Sequence, residues 1–358
     1  MQVVIVGGSG NVGTALLRRL AHEPSIVVSG VSRRPPPAEE PPYAGIRWTA
    51  CDLGVDGSAD ALRACFTGAD VVVHLAWQIQ PSHRPHVLHR TNVGGSRRVF
   101  TAARDAGVGQ LVYASSIAAY AADSTSVRRP ETWPVTGVPT SSYSRHKVTV
   151  ERILDEIEAG SHMIVSRLRP GLIFQRDAGA QIARYFLGPL APTTVLRHAR
   201  PPVLPLPRGL RMQGVHTADV ADAYARVVLR QAAGAFNIAA DPILDRDTIA
   251  AAVGGRPVEL SPRVLRSLAA ATWWGRLQPT EPGWLDLAMA APLLSCERAH
   301  EVLGWQPNTS VTDALRELVA GMAEGAGTGS PAMRRRDRVS TRLGGLVRGR
   351  VIGSASHT

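Results

Sequence analysis

The sequence predicts an α/β fold: a doubly wound parallel sheet with a smaller C-terminal lobe interleaved with it. Two observations carry this. Short apolar, β-branched runs alternate with helix-length segments through the first half of the chain, the pattern of parallel strands wrapped by helices. The first run, Val3-Val4-Ile5-Val6, passes directly into a glycine-rich turn and then into a helical segment, the order in which such sheets begin. At 358 residues there is chain enough for one large core and an appended lobe.

Taken in order, strands are expected at Val3 to Val6, Ile26 to Val31, Ile46 to Thr49, Val71 to Leu75, Leu111 to Ala114 and Met163 to Leu168. Helices are expected at Asn11 to His22, Ala59 to Phe66, Val87 to Ala106 and Ser142 to Ala159. After Pro170 the alternation decays, and Pro189 to Arg211, rich in Pro, Arg and Leu, reads as loops and short elements of a substrate-capping lobe. A helix at Thr217 to Gln231 and a strand at Phe236 to Ile238 are expected to return to the main sheet. The organisation predicted is thus a core of residues 1–170 rejoined by 215–240, a lobe from 171–214 and 241–324, and a disordered basic tail at 325–358. The tail prediction rests on its Gly, Ser, Thr and Arg content and the lack of a core-forming pattern.

Composition excludes several classes. No apolar run is long enough to span a bilayer, and the chain opens on a strand without a basic leader, so a cytoplasmic protein is expected. Cys51, Cys65 and Cys296 have neither a disulfide framework nor zinc-ligand spacing, and no metal is expected. The net charge is +11, of which +6 lies from Ser330 onward, where seven arginines face Asp337. That tail offers weak binding to anionic surfaces, but without interleaved aromatics it predicts no specific nucleic-acid recognition. Of the 40 Lys and Arg residues, 39 are arginine, and the single lysine is Lys147. Arginine keeps its proton and presents a wide planar fork, so a lone lysine in this background marks a place that needs a compact, tunable amine.

The turn after the first strand, Gly7-Gly8-Ser9-Gly10-Asn11-Val12-Gly13, has glycines spaced to let the backbone approach a pyrophosphate at a helix N-terminus. Its position at the start of a Rossmann-type sheet predicts dinucleotide binding. The end of the second strand decides which dinucleotide: an acid there would hold a ribose 2′-hydroxyl, and a guanidinium accommodates a 2′-phosphate. Ser32-Arg33-Arg34 contains no acid, so NADP is favoured over NAD.

These residues resemble the extended short-chain dehydrogenase/reductase family in its NAD-dependent epimerase/dehydratase branch, over most of the chain to about Ala323. Val6 stands where the family usually has threonine. Asp52-Leu53 resembles the pair whose acid contacts the adenine, His74-Leu75-Ala76 the fourth-strand segment lining the cofactor, and Thr91-Asn92-Val93-Gly94-Gly95-Ser96 the T-N-V-x-G-T helix. Tyr113-Ala114-Ser115-Ser116-Ile117-Ala118-Ala119-Tyr120 resembles the active-site strand and loop, which puts the catalytic hydroxyl on Ser116, with Ser115 the alternative. Tyr143-Ser144-Arg145-His146-Lys147 is the Y-x-x-x-K motif, and it contains that single lysine. Arg169-Pro170-Gly171 resembles the segment beside the nicotinamide. The resemblance implies cofactor contacts at Gly7, Gly10, Asn11, Val12, Gly13, Ser32, Arg33, Arg34, Asp52, Leu53, Leu75, Ala76, Asn92, Tyr143, Lys147 and Pro170. It also implies a homodimer through the helices at Val87 to Ala106 and Ser142 to Ala159. Val215-His216-Thr217-Ala218-Asp219-Val220-Ala221 and Leu303-Gly304-Trp305-Gln306-Pro307 resemble family segments that read better as packing than as catalysis.

The chemistry accounts for the residue types separately. Reducing a ketone needs hydride on one face and a proton delivered to the oxygen. A tyrosine can supply that proton, but its ordinary pKa near 10 calls for a neighbouring cation. Tyr143 and Lys147, at i and i+4, share a helix face.

Family dehydratases carry Asp-Glu after the catalytic hydroxyl, where this chain has Ile117 and Ala118. Nucleotide-sugar epimerases commonly carry an arginine where this chain has Met212, with Arg211 next to it. Trp77, Trp273, Trp274 and Trp284 offer walls for an apolar pocket. The reading is therefore an NAD(P)-dependent oxidoreductase acting on a ketone or secondary alcohol, with Tyr143 as general acid/base, Lys147 lowering its pKa and holding the ribose, and Ser116 orienting the substrate oxygen. Alternatives are a nucleotide-sugar epimerase with tightly bound NAD and a non-catalytic dinucleotide-sensing protein.

Overall fold

The computed structural model describes residues 1–187, 203–278 and 280–335. Its centre is a seven-stranded, all-parallel sheet in the order β11-β7-β5-β4-β1-β2-β3. These strands are β1 (Gln2–Val6), β2 (Val27–Ser32), β3 (Arg47–Ala50), β4 (Val71–His74), β5 (Gln110–Ala114), β7 (Ile164–Pro170) and β11 (Gly234–Ile238). The order reverses direction beside β1, where the C-terminal strand ends open a crevice for a ligand. Strands buried on both faces read as continuous apolar runs, as Val71-Val72-Val73 does.

Helices cover both faces. On one, α1 (Asn11–Leu20) packs on α7 (Thr217–Arg230) over a core of Val3, Ile5, Leu16, Phe236 and Trp305. On the other, α2 (Ser58–Phe66), α4 (Gly95–Asp105) and α5 (Ser142–Ala159) cover Val4, Val6, Val72, Phe100 and Tyr113. The segment expected to be one helix from Val87 is three pieces: the short α3 (Pro85–His89), a π-helical turn at Arg90–Gly94, and α4. The π turn carries Asn92 and Gly94 and aims the Asn92 amide back at the loop after β4.

The second lobe holds a three-stranded sheet, β12-β10-β8, built from β8 (Leu172–Phe174), β10 (Met212–His216) and β12 (Ala240–Leu244). The two-residue strands β6 (Arg128–Arg129) and β14 (Leu293–Leu294) pair with each other. Part of the stretch read as loops from Pro189 is a strand: β9 (Val203–Pro207) pairs in parallel with β13 (Arg256–Leu260), outside the main sheet. Its prolines and lack of alternation hid it, and residues 189–202 of that stretch lie outside the described residues. Helices α6 (Gly179–Ile182), α8 (Arg246–Val253), α9 (Pro262–Trp274), α10 (Gly283–Ala290), α11 (Glu297–Leu303) and α12 (Val311–Glu324) complete the lobe. Ser310 caps α12, its hydroxyl accepting from the Asp313 N–H. Among the described residues no helix is long and apolar enough to cross a membrane.

The tail does not begin at Gly325 as composition suggested. Residues 325–335 pack back on the core, with Ser330 and Met333 fully buried. The remaining tail residues, 336–358, lie outside the described residues. Composition misled here because the segment is held mainly by hydrogen bonds to Tyr43 and Ser9, contacts that leave no apolar periodicity.

Candidate active site

The glycine turn is tight because its neighbours leave no room for side chains. Gly7 has φ +88°, and a Cβ on it would stand 2.6 Å from the Ala76 nitrogen. A Cβ on Gly13 would meet the Gly7 carbonyl at 2.5 Å. The turn thus seats α1 against the Leu75–Ala76 segment after β4. No side chain caps α1, which leaves the first-turn N–H groups at Asn11, Val12 and Gly13 without a capping side chain. Uncapped N–H groups and the positive helix end make a place for an anion. Asn11 is oriented from outside the motif by Gln175 and Thr217.

At the end of β2 the Ser32 hydroxyl is buried without a hydrogen-bond partner among the described residues. A buried hydroxyl without a partner is costly, and a ribose would satisfy it. Arg33 and Arg34 follow, both exposed and neither ion-paired with any described residue. Asp52 is half-buried and accepts the Gly54 N–H at 2.8 Å, while Leu53 is buried with its carbonyl accepting from Arg98. The cradle, the orphaned hydroxyl and the free guanidiniums together fit a dinucleotide. Asn92 is different: its amide donates to the Gln78 carbonyl at 3.0 Å and accepts the Gln78 N–H at 2.8 Å, so it shapes the loop and has both polar ends engaged.

Ser141 caps α5, and Tyr143, Lys147 and Glu151 follow at successive turns of one face. The Ser116 hydroxyl beside the Tyr143 phenol lowers the phenol's pKa, but burial pushes it up further. Lys147 is buried: its ammonium donates to the Ala114 carbonyl at 2.6 Å and lies 3.6 Å from the centre of the Trp77 ring. Burial holds its pKa well below the ordinary lysine value, and the Glu151 charge opposes that. The two candidate serines separate here. Ser115 donates to Glu151 behind the site, and Ser116 alone meets Tyr143.

Glu151 and Arg169 were not singled out together in the sequence. Arg169 donates Nε to Glu151 Oε1 at 2.8 Å and Nη2 to Oε2 at 2.7 Å, both side chains being almost fully buried. It also donates to the Tyr120 hydroxyl and the Glu131 carbonyl. Arg169 thus faces the scaffold of α5, while Pro170 ends β7. The acid four residues after Lys147 was the available signal, but its partner lies on another element.

Aromatic rings wall the phenol. The Trp77 and Trp284 ring centres lie 5.9 Å and 5.1 Å from that of Tyr143, and Phe186 meets Trp284 at 5.4 Å. Of the other tryptophans expected to line a pocket, Trp273 stacks on His83, and Trp274 is 76% exposed. Arg211 donates to the carbonyls of Ser124 and Thr125 and to the Ser126 hydroxyl, and Met212 packs against the core. His216 caps α7 and pairs with Glu317, and Trp305 is buried with its indole N–H on the Asp219 carbonyl, so both segments are packing features. No cluster of potential metal ligands occurs among the described residues.

A parallel sheet with a glycine turn after its first strand and a tyrosine–lysine helix between β5 and β7 is the arrangement of the short-chain dehydrogenase/reductase class. The chain belongs to the NAD dependent epimerase/dehydratase family, whose model matches residues 3–239. Among curated proteins it is similar to the uncharacterized protein Rv2047c of Mycobacterium tuberculosis, 25% identical over 92% of this chain and 31% of that protein. It is also similar to the decarboxylating sterol-4-alpha-carboxylate 3-dehydrogenase of Candida albicans, 28% identical over 48% of this chain and 50% of that one. A third relative is the 4-hydroxy-2-methyl-3-oxo-4-farnesyl-3,4-dihydroquinoline-1-oxide ketoreductase of Stigmatella aurantiaca, 27% identical over 49% of this chain and 52% of that one. The chain therefore spans from 31% to 52% of the length of these relatives. Among solved structures, the fold is shared with the Thermus thermophilus UDP-glucose 4-epimerase in complex with NAD (TM-score 0.68, 22% identity, 90% of this chain and 99% of that one).

Proposed function

We propose that the protein is a reductase or dehydrogenase for an apolar ketone or secondary alcohol. The observation that carries this reading is the Tyr143 phenol, beside Ser116, one helical turn from Lys147 and walled by Trp77 and Trp284. A nicotinamide dinucleotide held by the glycine turn, Ser32 and the α1 N-terminus would supply or accept the hydride. Ser116 orients the substrate oxygen by hydrogen bond, and Tyr143 delivers the proton that makes the alcohol, or takes it in the reverse direction. The Lys147 ammonium, 5.8 Å from the centre of the Tyr143 ring, is placed to favour the phenolate against the burial that raises the phenol's pKa. The aromatic walls exclude water and favour a hydrophobic substrate. Two named relatives carry a sterol and a farnesyl group in their descriptions, in keeping with such a pocket.

A nucleotide-sugar epimerase is the weaker reading, because Arg211 spends its donors on the 124–126 loop and Met212 offers no charge for a diphosphate. A non-catalytic sensor is weaker still, since it has no use for Tyr143 and Lys147 in this arrangement. NADP is the favoured cofactor, on the guanidiniums of Arg33 and Arg34, which pair with no carboxylate among the described residues. A homodimer through α4 and α5 would be held by charge, since Arg97, Arg104, Arg145, Arg152, Asp155 and Glu156 are exposed on these helices.

The test is titration with NADPH and NADH, then a panel of apolar ketones and nucleotide sugars assayed with wild type, Tyr143→Phe and Lys147→Arg. Consumption of NADPH with a ketone, abolished in both variants, is the expected result. Conversion of a nucleotide sugar without net cofactor turnover would replace this reading with the epimerase.

A further inference from the structure

The chain after α12 runs back to the cofactor turn. The Ala326 carbonyl accepts the Ala180 N–H at 3.0 Å, which fixes the segment as it leaves the helix. The Thr328 hydroxyl meets the Tyr43 hydroxyl at 3.0 Å, and Tyr43 meets Thr14 of α1 at 3.0 Å. The Ser330 hydroxyl donates to the carbonyl of Ser9, inside the glycine motif, at 2.7 Å. Met333 is fully buried, with its sulfur 3.7 Å from the Thr14 hydroxyl. The close approach needs small residues. A Cβ on Gly327 would collide with the Met333 carbonyl, and one on Gly329 with the Glu40 carboxylate. Two parts of the pyrophosphate cradle, the turn at Ser9 and the first helical turn at Thr14, are thus held by residues more than 300 positions later.

We propose that residues 326–333 form a strap that holds the glycine turn in its dinucleotide-binding shape, so that affinity for the diphosphate of the cofactor depends on the C-terminal segment. This rests on the dinucleotide reading above. Glycine-rich backbone has the most conformational freedom to lose on ordering, and a turn ordered before the ligand arrives binds it more tightly. Ser330 acts as a positioning residue through Ser9, without itself touching the cofactor.

The experiment uses the full-length chain and direct fluorescence titration with NADPH and, by competition, ADP-ribose, beside thermal midpoints without ligand. Ser330→Ala is expected to raise both dissociation constants about fivefold, the net value of one hydrogen bond. Gly327→Ala should do the same, because its Cβ would meet the Met333 carbonyl at 2.3 Å and the Arg335 nitrogen at 2.7 Å, backbone atoms that cannot step aside. Unchanged dissociation constants in Ser330→Ala and Gly327→Ala, whatever their midpoints, would overturn the strap alone. Failure of wild type to bind either ligand would overturn both the strap and the dinucleotide reading.

Discussion

The Lys147 ammonium rests 3.6 Å from the centre of the Trp77 ring while donating to the Ala114 carbonyl. Burial works against the charge on Lys147, and the ring face and the carbonyl work for it. Replacing Trp77 by leucine removes the ring and leaves the carbonyl and the Glu151 charge, so the lysine pKa falls further. The alkaline limb of kcat/KM should therefore move to lower pH, by up to roughly one unit. Trp77→Phe, which keeps a π face, should move it less. An unchanged limb in Trp77→Leu would show that the ring contributes nothing to the charge.

Glu151 and Arg169 should behave as a unit. Breaking a buried ion pair from one side leaves an uncompensated charge, at a cost of about 3–5 kcal/mol, whereas replacing both partners with apolar residues is far milder. Glu151→Leu and Arg169→Met are each expected to lower the unfolding free energy by that order, and the double variant by less than either. Denaturant titration of the four proteins checks this, and additive losses would contradict it.

His74 sets an acid-side limit on stability. Burial depresses its pKa from 6.5 to about 3, with the Lys147 charge acting in the same direction. The unfolded chain therefore binds more protons between those values, so the contribution is full above pH 6.5 and declines as pH falls. At pH 5 the loss is about 2 kcal/mol. His146, lowered to about 4 by burial and by His89, adds to the same trend. Thermal midpoints between pH 7 and 5 should fall on acidification, and a flat profile would refute this.

Arg33 and Arg34 have no carboxylate among the described residues to satisfy them. Changing both to alanine should weaken NADPH binding by tenfold or more and leave NADH binding nearly unchanged, since a charge-assisted hydrogen bond is worth about 1.5–3 kcal/mol. Equal losses for both dinucleotides would assign these residues a role other than reading the 2′-phosphate.

If copies of the chain associate through α4 and α5, the contact is polar and should weaken as salt rises. Sedimentation at low and high ionic strength checks this, and a salt-insensitive dimer would point to another face.

Much of this protein was legible along the chain. The strand–glycine–helix order at Val3 to Leu20, the alternation that predicts a parallel sheet, the i, i+4 pairing of Tyr143 with Lys147, and a helix from Ser142 to Ala159 all depend on neighbours within a turn or two. Backbone sterics and side-chain periodicity act over that range, so local spacing determines them. Which of Ser115 and Ser116 faces Tyr143, the commitment of Arg211 to the 124–126 loop, the pairing of Glu151 with Arg169 and the return of Ser330 to Ser9 were decided only by tertiary structure. Each joins residues on separate elements through a hydrogen bond or ion pair, and such contacts depend on where the sheet and helices bring the chain together, which leaves no period in the sequence.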